Sequence, residues 1–412
     1  VLLGLVAYWF TTAYAPTQKA PSEVTVRASP PASAPAPAAA DSAAGCHPLP
    51  LRFVSSPALR RPMEVHRYVG TVGGHPATAV LQWVNPDSIE GSFYLHQGGP
   101  AYSLYLSSKS AGPMVLQVYD DQAAQRDRGV WRLTGRLGGT ALTGFWQDTS
   151  QRQAIQLHES YEGAVRYSIE TMLLIGGTPD TGDPATDSVS CIVPKFQQYF
   201  LTLLEPAAIH PTLRSVLTSP VAARRQQMLD AQEPDADVNV WLDVRLNDFG
   251  LFSYQTIYAA SPFGGRLQYG VESTLVDLTT GKALSVASQL QPNYELPLRR
   301  LLSQHLLQDP AFDEVNNTDT TDTEQQDFGE WAWHDAEENP SLLVSLPDLK
   351  EPSADDLTLT AVGVEATYSP FGLFKSPGGK LPSYSVVIPY QELRPLVRPG
   401  TALARMLAAR GL

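Results

Sequence analysis

The chain has 412 residues, too many for one ordinary hydrophobic core and enough for two or three domains. Its 29 Lys and Arg stand against 42 Asp and Glu, a formal net charge of −13, and no stretch gathers enough basic residues to neutralise a run of phosphates, so nucleic acid and anionic lipid are poor partners. Hydrophobic residues make up 43% but charged residues only 17%, and 17 Tyr, 13 Phe and 7 Trp beside 30 Gly and 34 Pro favour strands and tight turns over long helices.

Residues 1–10 are an almost unbroken apolar run, followed by Ala13-Tyr14-Ala15, the small-x-small pattern that fits the pockets of signal peptidase. The run is shorter than the roughly twenty residues a bilayer span needs. It predicts an export leader over 1–15, cut after Ala15, with the rest of the chain in the periplasm or cell envelope. Residues before Val1 would decide whether the segment is instead kept as a membrane anchor.

Residues 16–62 are dominated by Pro, Ala and Ser and lack a pattern that could bury a face, which predicts an extended linker. Cys46 closes Ala43-Ala44-Gly45-Cys46, similar to a lipoprotein box, but the box stands too far from the apolar run for lipidation. With Cys191 it makes the full cysteine complement, and in an oxidising compartment the two can pair or stay free.

From 63 to 165 the chain alternates apolar and polar residues over 65–72, 79–84, 91–95, 102–106, 115–119, 129–137, 142–147 and 154–159. Short period-two runs at this spacing predict an all-β antiparallel meander or small barrel. Three runs pair a Gly with aromatics: Gly91-Ser92-Phe93-Tyr94, Gly129-Val130-Trp131 and Gly144-Phe145-Trp146. A glycine there lets neighbouring backbones approach while the aromatic fills the interior. Such openings resemble those of avidin-like and lipocalin-like barrels, which implies a small-ligand carrier as one reading of this region. Gly73-Gly74-His75-Pro76 predicts a hairpin turn rather than a metal site.

Residues 176–190 are rich in Gly, Thr, Asp and Pro and predict a second linker. Beyond it, 194–205, 222–230 and 296–307 have helical composition, while 239–246, 252–258, 269–278 and 384–389 alternate as strands. The expectation for 191–412 is an α+β domain, and for the whole chain a multi-domain protein.

Within that domain the order of motifs is specific. The strand Phe252-Ser253-Tyr254-Gln255-Thr256-Ile257-Tyr258 is followed by Gly264-Gly265 and then by Asp277-Leu278-Thr279-Thr280-Gly281-Lys282. Further on come Tyr368-Ser369-Pro370-Phe371 and Val386-Val387-Ile388-Pro389-Tyr390. Together they resemble the RsiV-like ectodomain family, over about 192–410. That family implies an extracytoplasmic binding module, found in anti-sigma factors that sense lysozyme and beside the catalytic domain of some peptidoglycan deacetylases. The resemblance places ligand contacts at Phe263, Gly264, Gly265, Arg266, Tyr368, Phe371 and Tyr390. In two places the chain departs from the family: Phe263-Gly264-Gly265-Arg266 replaces a Gly-Gly-Ala-His turn, and Ser369-Pro370-Phe371-Gly372 replaces Asn-Pro-Tyr-Glu.

No catalytic constellation is legible. The eight histidines include no pair at the i, i+4 spacing that places two imidazoles on one helical face, and there is no Gly-x-Ser-x-Gly elbow or phosphate-cradling Gly-Lys-Ser/Thr loop. The acidic stretch 309–338, with Trp331 and Trp333, lacks the ligand order of a calcium loop and reads as a solvated insertion. The expectation is a non-enzymatic binding or sensing protein of the cell envelope, with no metal or cofactor. Its partner would be a basic protein such as lysozyme, or a peptidoglycan fragment. A wall-polymer hydrolase with carboxylates assembled across the fold is the alternative from a different class.

Overall fold

The computed structural model describes residues 49–54, 63–85, 88–108, 113–120, 126–148, 151–177, 194–204, 213, 217, 221–230, 236–262, 268–308, 357–368 and 384–412. The predicted leader 1–15, Cys46, Cys191 and the acidic stretch 309–338 lie outside the described residues.

Each of the eight alternating runs forms a strand: β2 (Met63–Val72), β3 (His75–Asn85), β4 (Ser88–Leu95), β5 (Ala101–Ser108), β6 (Met114–Asp120), β7 (Arg126–Thr134), β8 (Ala141–Gln147) and β9 (Arg152–Glu159). Each pairs antiparallel with the next, and β9 returns to β2 through Tyr68↔Glu159 to Val72↔Ile155, closing an eight-stranded up-and-down barrel. Gly73 and Gly74 have φ of +63° and +84° and make the β2–β3 hairpin, as the left-handed turn requires. Inside the barrel Phe93 stacks on Tyr102 with ring centroids 4.6 Å apart and meets Trp131 at 4.5 Å, while Trp146 meets both Phe93 and Tyr102 edge-on. Trp131 is wholly buried and its indole N–H has no hydrogen-bond partner; that of Trp146 donates to the Arg128 carbonyl at 2.9 Å.

Glycine sets the curvature of this wall. A Cβ on Gly70, Gly91, Gly129 or Gly144 would lie 2.0–2.1 Å from a carbonyl oxygen of the neighbouring strand, well inside van der Waals contact. The strands therefore coil closely only where the side chain is absent.

The rest of the described chain is also mostly β. Strand β1 (Leu49–Val54) and β11 (Pro194–Leu203) both flank β10 (Tyr167–Gly177), and β11 runs parallel to β12 (Ala236–Asp248). Antiparallel pairing then continues through β13 (Leu251–Pro262), β14 (Gln268–Asp277) and β15 (Lys282–Leu284). Helix α1 (Val221–Asp230) packs on it through Met228, and a separate sheet of β16 (Leu357–Leu359), β17 (Gly363–Tyr368) and β18 (Tyr384–Pro389) packs on it elsewhere with α2–α4: Glu295–Gln308, Tyr390–Leu393 and Ala402–Arg410. No helix among the described residues is long and apolar enough to cross a membrane.

Two expectations are corrected. Residues 49–54, assigned to the linker by composition, form β1; and 194–203, assigned helical composition, form β11. Phe196 and Phe200 imitate a helical i, i+4 pair but also lie on one face of a strand, where both join the Leu174, Val238 and Met228 cluster. Leu201 packs in a different cluster, so both faces of β11 are covered and the alternation is hidden.

Barrel and sheet share a strand. The start of β2 pairs with β10 at Met63↔Ile169 and Glu64↔Ser168, while its later residues close the barrel. A Cβ at Gly144 must push β7 from β8, so Gly144→Ala should destabilise the protein by about 2–4 kcal/mol. The exposed neighbour substitution Ala141→Ser should fall within about 0.5 kcal/mol of the parent, both read by urea denaturation.

Candidate functional site

The densest polar cluster in the described structure sits where the β12–β13 turn enters the end of the barrel. Asp248 pairs with Leu251 across that turn, so Phe249 and Gly250 are its two central residues, with φ of +53° and +79°. A left-handed aromatic residue is a steric outlier, costing roughly 1–2 kcal/mol. It persists because the surroundings hold it. The ring meets His96 edge-on at 5.0 Å, and the Gly250 amide donates to the Gly163 carbonyl at 2.7 Å.

Asp248 is the centre of the cluster, its side chain 3% exposed and paired with Arg67, itself 4% exposed. One carboxylate oxygen accepts from the Arg67 guanidinium and from the Phe249 amide at 2.8 Å. The other accepts from the Thr78 hydroxyl at 2.7 Å and the Tyr94 hydroxyl at 2.5 Å. Four donors from both halves of the chain thus converge on one carboxylate. Because the Thr78 proton goes to Asp248, Thr78 must accept from His96 Nε2, 2.9 Å away, which fixes the imidazole tautomer with its proton on Nε2.

Arg410, in the last turn of α4, completes the cluster. Its guanidinium donates to the carbonyls of His96 at 3.0 Å, Ala361 at 2.8 Å and Leu95 at 3.3 Å, and it lies 5.0 Å from the Tyr390 ring centroid. Burial and the neighbouring Asp248 hold the Tyr94 hydroxyl well above its ordinary range. Burial lowers the His96 pKa, with Arg410 and Arg67 adding to the effect and Asp248 opposing it. Asp248 has no free oxygen facing solvent, so the geometry suits it to locking two units together rather than to proton transfer.

The residues singled out by resemblance are not gathered here. Phe263, Gly264, Gly265, Arg266 and Phe371 lie outside the described residues, the first four on the connection between β13 and β14. Tyr368 ends β17. Tyr390 is wholly buried, donates to the Thr360 carbonyl at 2.6 Å, and burial raises its pKa. The Asp-Leu-x-Thr-Gly-Lys segment makes the β14–β15 turn, where the Asp277 carboxylate accepts from the Thr279 amide at 2.9 Å and from Arg405 of α4 at 3.0 Å.

The comparisons with known proteins are sparse. No protein-family model and no curated protein matches the chain. Among solved structures it is similar to a DUF3298 family protein from Pseudomonas aeruginosa PAO1, at 19% identity and a TM-score of 0.30, over 57% of this chain and 96% of that one. It is similar also to a DUF3298 family member from Bacteroides fragilis NCTC 9343, at 12% identity and a TM-score of 0.38, over 59% and 98%.

Sequence reasoning missed Arg67, Tyr94, His96, Asp248 and Arg410. Two signals were present: Asp248-Phe249-Gly250, an aromatic where a tight hairpin ordinarily carries Asn or Gly, and Arg410 closing a helix whose only other charged residue is Arg405. Among the described residues no three His, Cys, Asp or Glu side chains gather to hold a metal.

Asp248→Asn leaves the Arg67 charge buried without its counter-ion and should cost about 3–5 kcal/mol, whereas pairing Asp248→Leu with Arg67→Met should recover part of the loss. Urea denaturation of both variants reads this. His96 makes stability depend on pH. Its folded pKa is below the ordinary 6.5, so the unfolded chain binds the proton more tightly. Stability is then fully present above about pH 6.5 and is lost as pH falls towards the folded value. Melting temperature should drop between pH 7.5 and pH 5, with a shallower drop in His96→Gln.

Proposed function

We propose that the protein is exported to the cell envelope and acts there by binding rather than turnover. In this reading residues 63–165 and 191–412 are two domains separated by the linker 176–190, and the second is an α+β RsiV-like module that takes a lysozyme-like protein or a peptidoglycan-derived ligand. The observation that supports it most is the continuity of the motif residues. β13, the 263–267 connection, β14, the Asp277 turn and β15 follow one another as a single antiparallel run. Residues 263–266 therefore fall in sequence between the paired strands β13 and β14.

The formal charge of −13 suits a basic protein partner. Tyr390 is buried and Asp248 is closed by four donors, so neither is available to a ligand.

Capture of lysozyme or of soluble peptidoglycan fragments by the immobilised protein tests this directly. Binding of one of them is expected, with Phe263→Ala/Arg266→Glu weakening it about tenfold or more at unchanged melting temperature. Failure to retain either ligand would remove the reading.

A further inference from the structure

One side of the outer wall of the barrel carries exposed arginines among neutral polar side chains. On β7, β8 and β9 the exposed positions alternate with the core, so Arg132, Thr143, Arg152, Ala154, Gln156 and His158 all point outward. Strand register aligns Thr134, Thr143, Gln156 and Thr71 in one row across four strands. At about 4.8 Å per strand this row is roughly 14 Å long. Beside it Arg132 stands opposite Phe145, and the Arg152 guanidinium lies 3.6 Å from the Phe145 ring centroid.

No outward position of β8 or β9 within this surface is Asp or Glu, in a chain with 42 acidic residues. Among the described residues Arg132 and Arg152 have no ion-pair partner. Acids on neighbouring elements have other partners: Asp120 pairs with Arg128, Asp127 accepts from Gln117 and the Gly129 amide, Glu159 meets His66 and Tyr161, and Asp148 accepts from the Gln151 amide.

A shallow, open groove of about 570 Å³ runs over β2, β9 and β8, lined by Thr71, Thr143, Ala154, Gln156 and His158 above the wall glycines Gly70 and Gly144. Gln156 sits in the middle, between Thr143 and Thr71, and Ala154, the smallest side chain on its strand, leaves the end towards Phe145 and Arg152 open.

The geometry points to this groove as a binding site for an oligosaccharide bearing carboxylates. Thr71, Thr143, Gln156 and His158 offer hydrogen bonds to sugar hydroxyls, and the two arginines beside them offer paired N–H donors to carboxylates. Two guanidinium groups without ion-pair partners are too few for a nucleic-acid backbone. A closed barrel offers no strand edge to which a peptide could add at this wall. The inference does not rest on the RsiV-like module, which lies in the other half of the chain.

Titration calorimetry of the full chain with a short oligogalacturonate, its methyl ester and a cello-oligosaccharide of equal length tests it. Binding of the acid form, weakening as salt rises and at least tenfold tighter than the other two, is expected. Arg132→Gln/Arg152→Gln should weaken it at least tenfold, and Thr143→Trp, which fills the groove from an exposed strand position, should abolish it, both at unchanged melting temperature. No binding of the acid form overturns the proposal. So does equal affinity for the ester, an unaffected arginine double variant, or equal affinity for a thymidine oligonucleotide or an oligoglutamate. Lysozyme capture measured on the same variants should be unchanged, so loss of one activity is distinguishable from loss of the other.

Discussion

The structure depends on satisfying one buried carboxylate. Asp248 has lost its water, and the protein replaces that water with a guanidinium, two hydroxyls and a backbone amide drawn from β2, β3, β4 and the turn itself. Any one of these donors left unmatched, or the carboxylate left without them, would be a buried polar group at a cost of kcal/mol. The barrel end and the β12–β13 turn are thereby obliged to meet in one geometry. Arg410 adds a second constraint from α4, joining the Leu95 and His96 carbonyls of the barrel to Ala361 beside β17.

The same logic recurs at smaller scale where β12 meets the three-stranded sheet. Arg245 sits at a register shift in β12, and its side chain pairs with Asp243 and with buried Glu365 on β17. Gln255 and Ser273 both reach Thr358 on β16. Apolar packing by Leu246, Leu251, Leu275 and their neighbours provides the stabilising area, while these polar contacts select the register.

Local pattern was legible in the sequence and long-range polar pairing was not. The barrel strands alternate cleanly because one face meets the core and the other meets solvent, and the glycine–aromatic phrases at 91–94, 129–131 and 144–146 correspond to wall contacts and core rings. β11 was misread because both its faces are covered, and β1 because six residues within a Pro-rich stretch give too short a pattern. Nothing in a single sequence ties Asp248 to Arg67, Thr78 and Tyr94, which stand 181, 170 and 154 residues away. Its only local trace is the strained Phe249.

The strand shared by barrel and sheet has a consequence for assembly. β2 cannot finish pairing until both β9 and β10 have been made, about a hundred residues after it, and contacts of such separation form slowly. A barrel that closes before β10 docks presents Met63 and Glu64 with unpaired backbone groups beside the uncovered Val65 side chain. Such an edge can be met equally well by β10 of another copy, so high concentration during refolding favours exchanged dimers over the monomer.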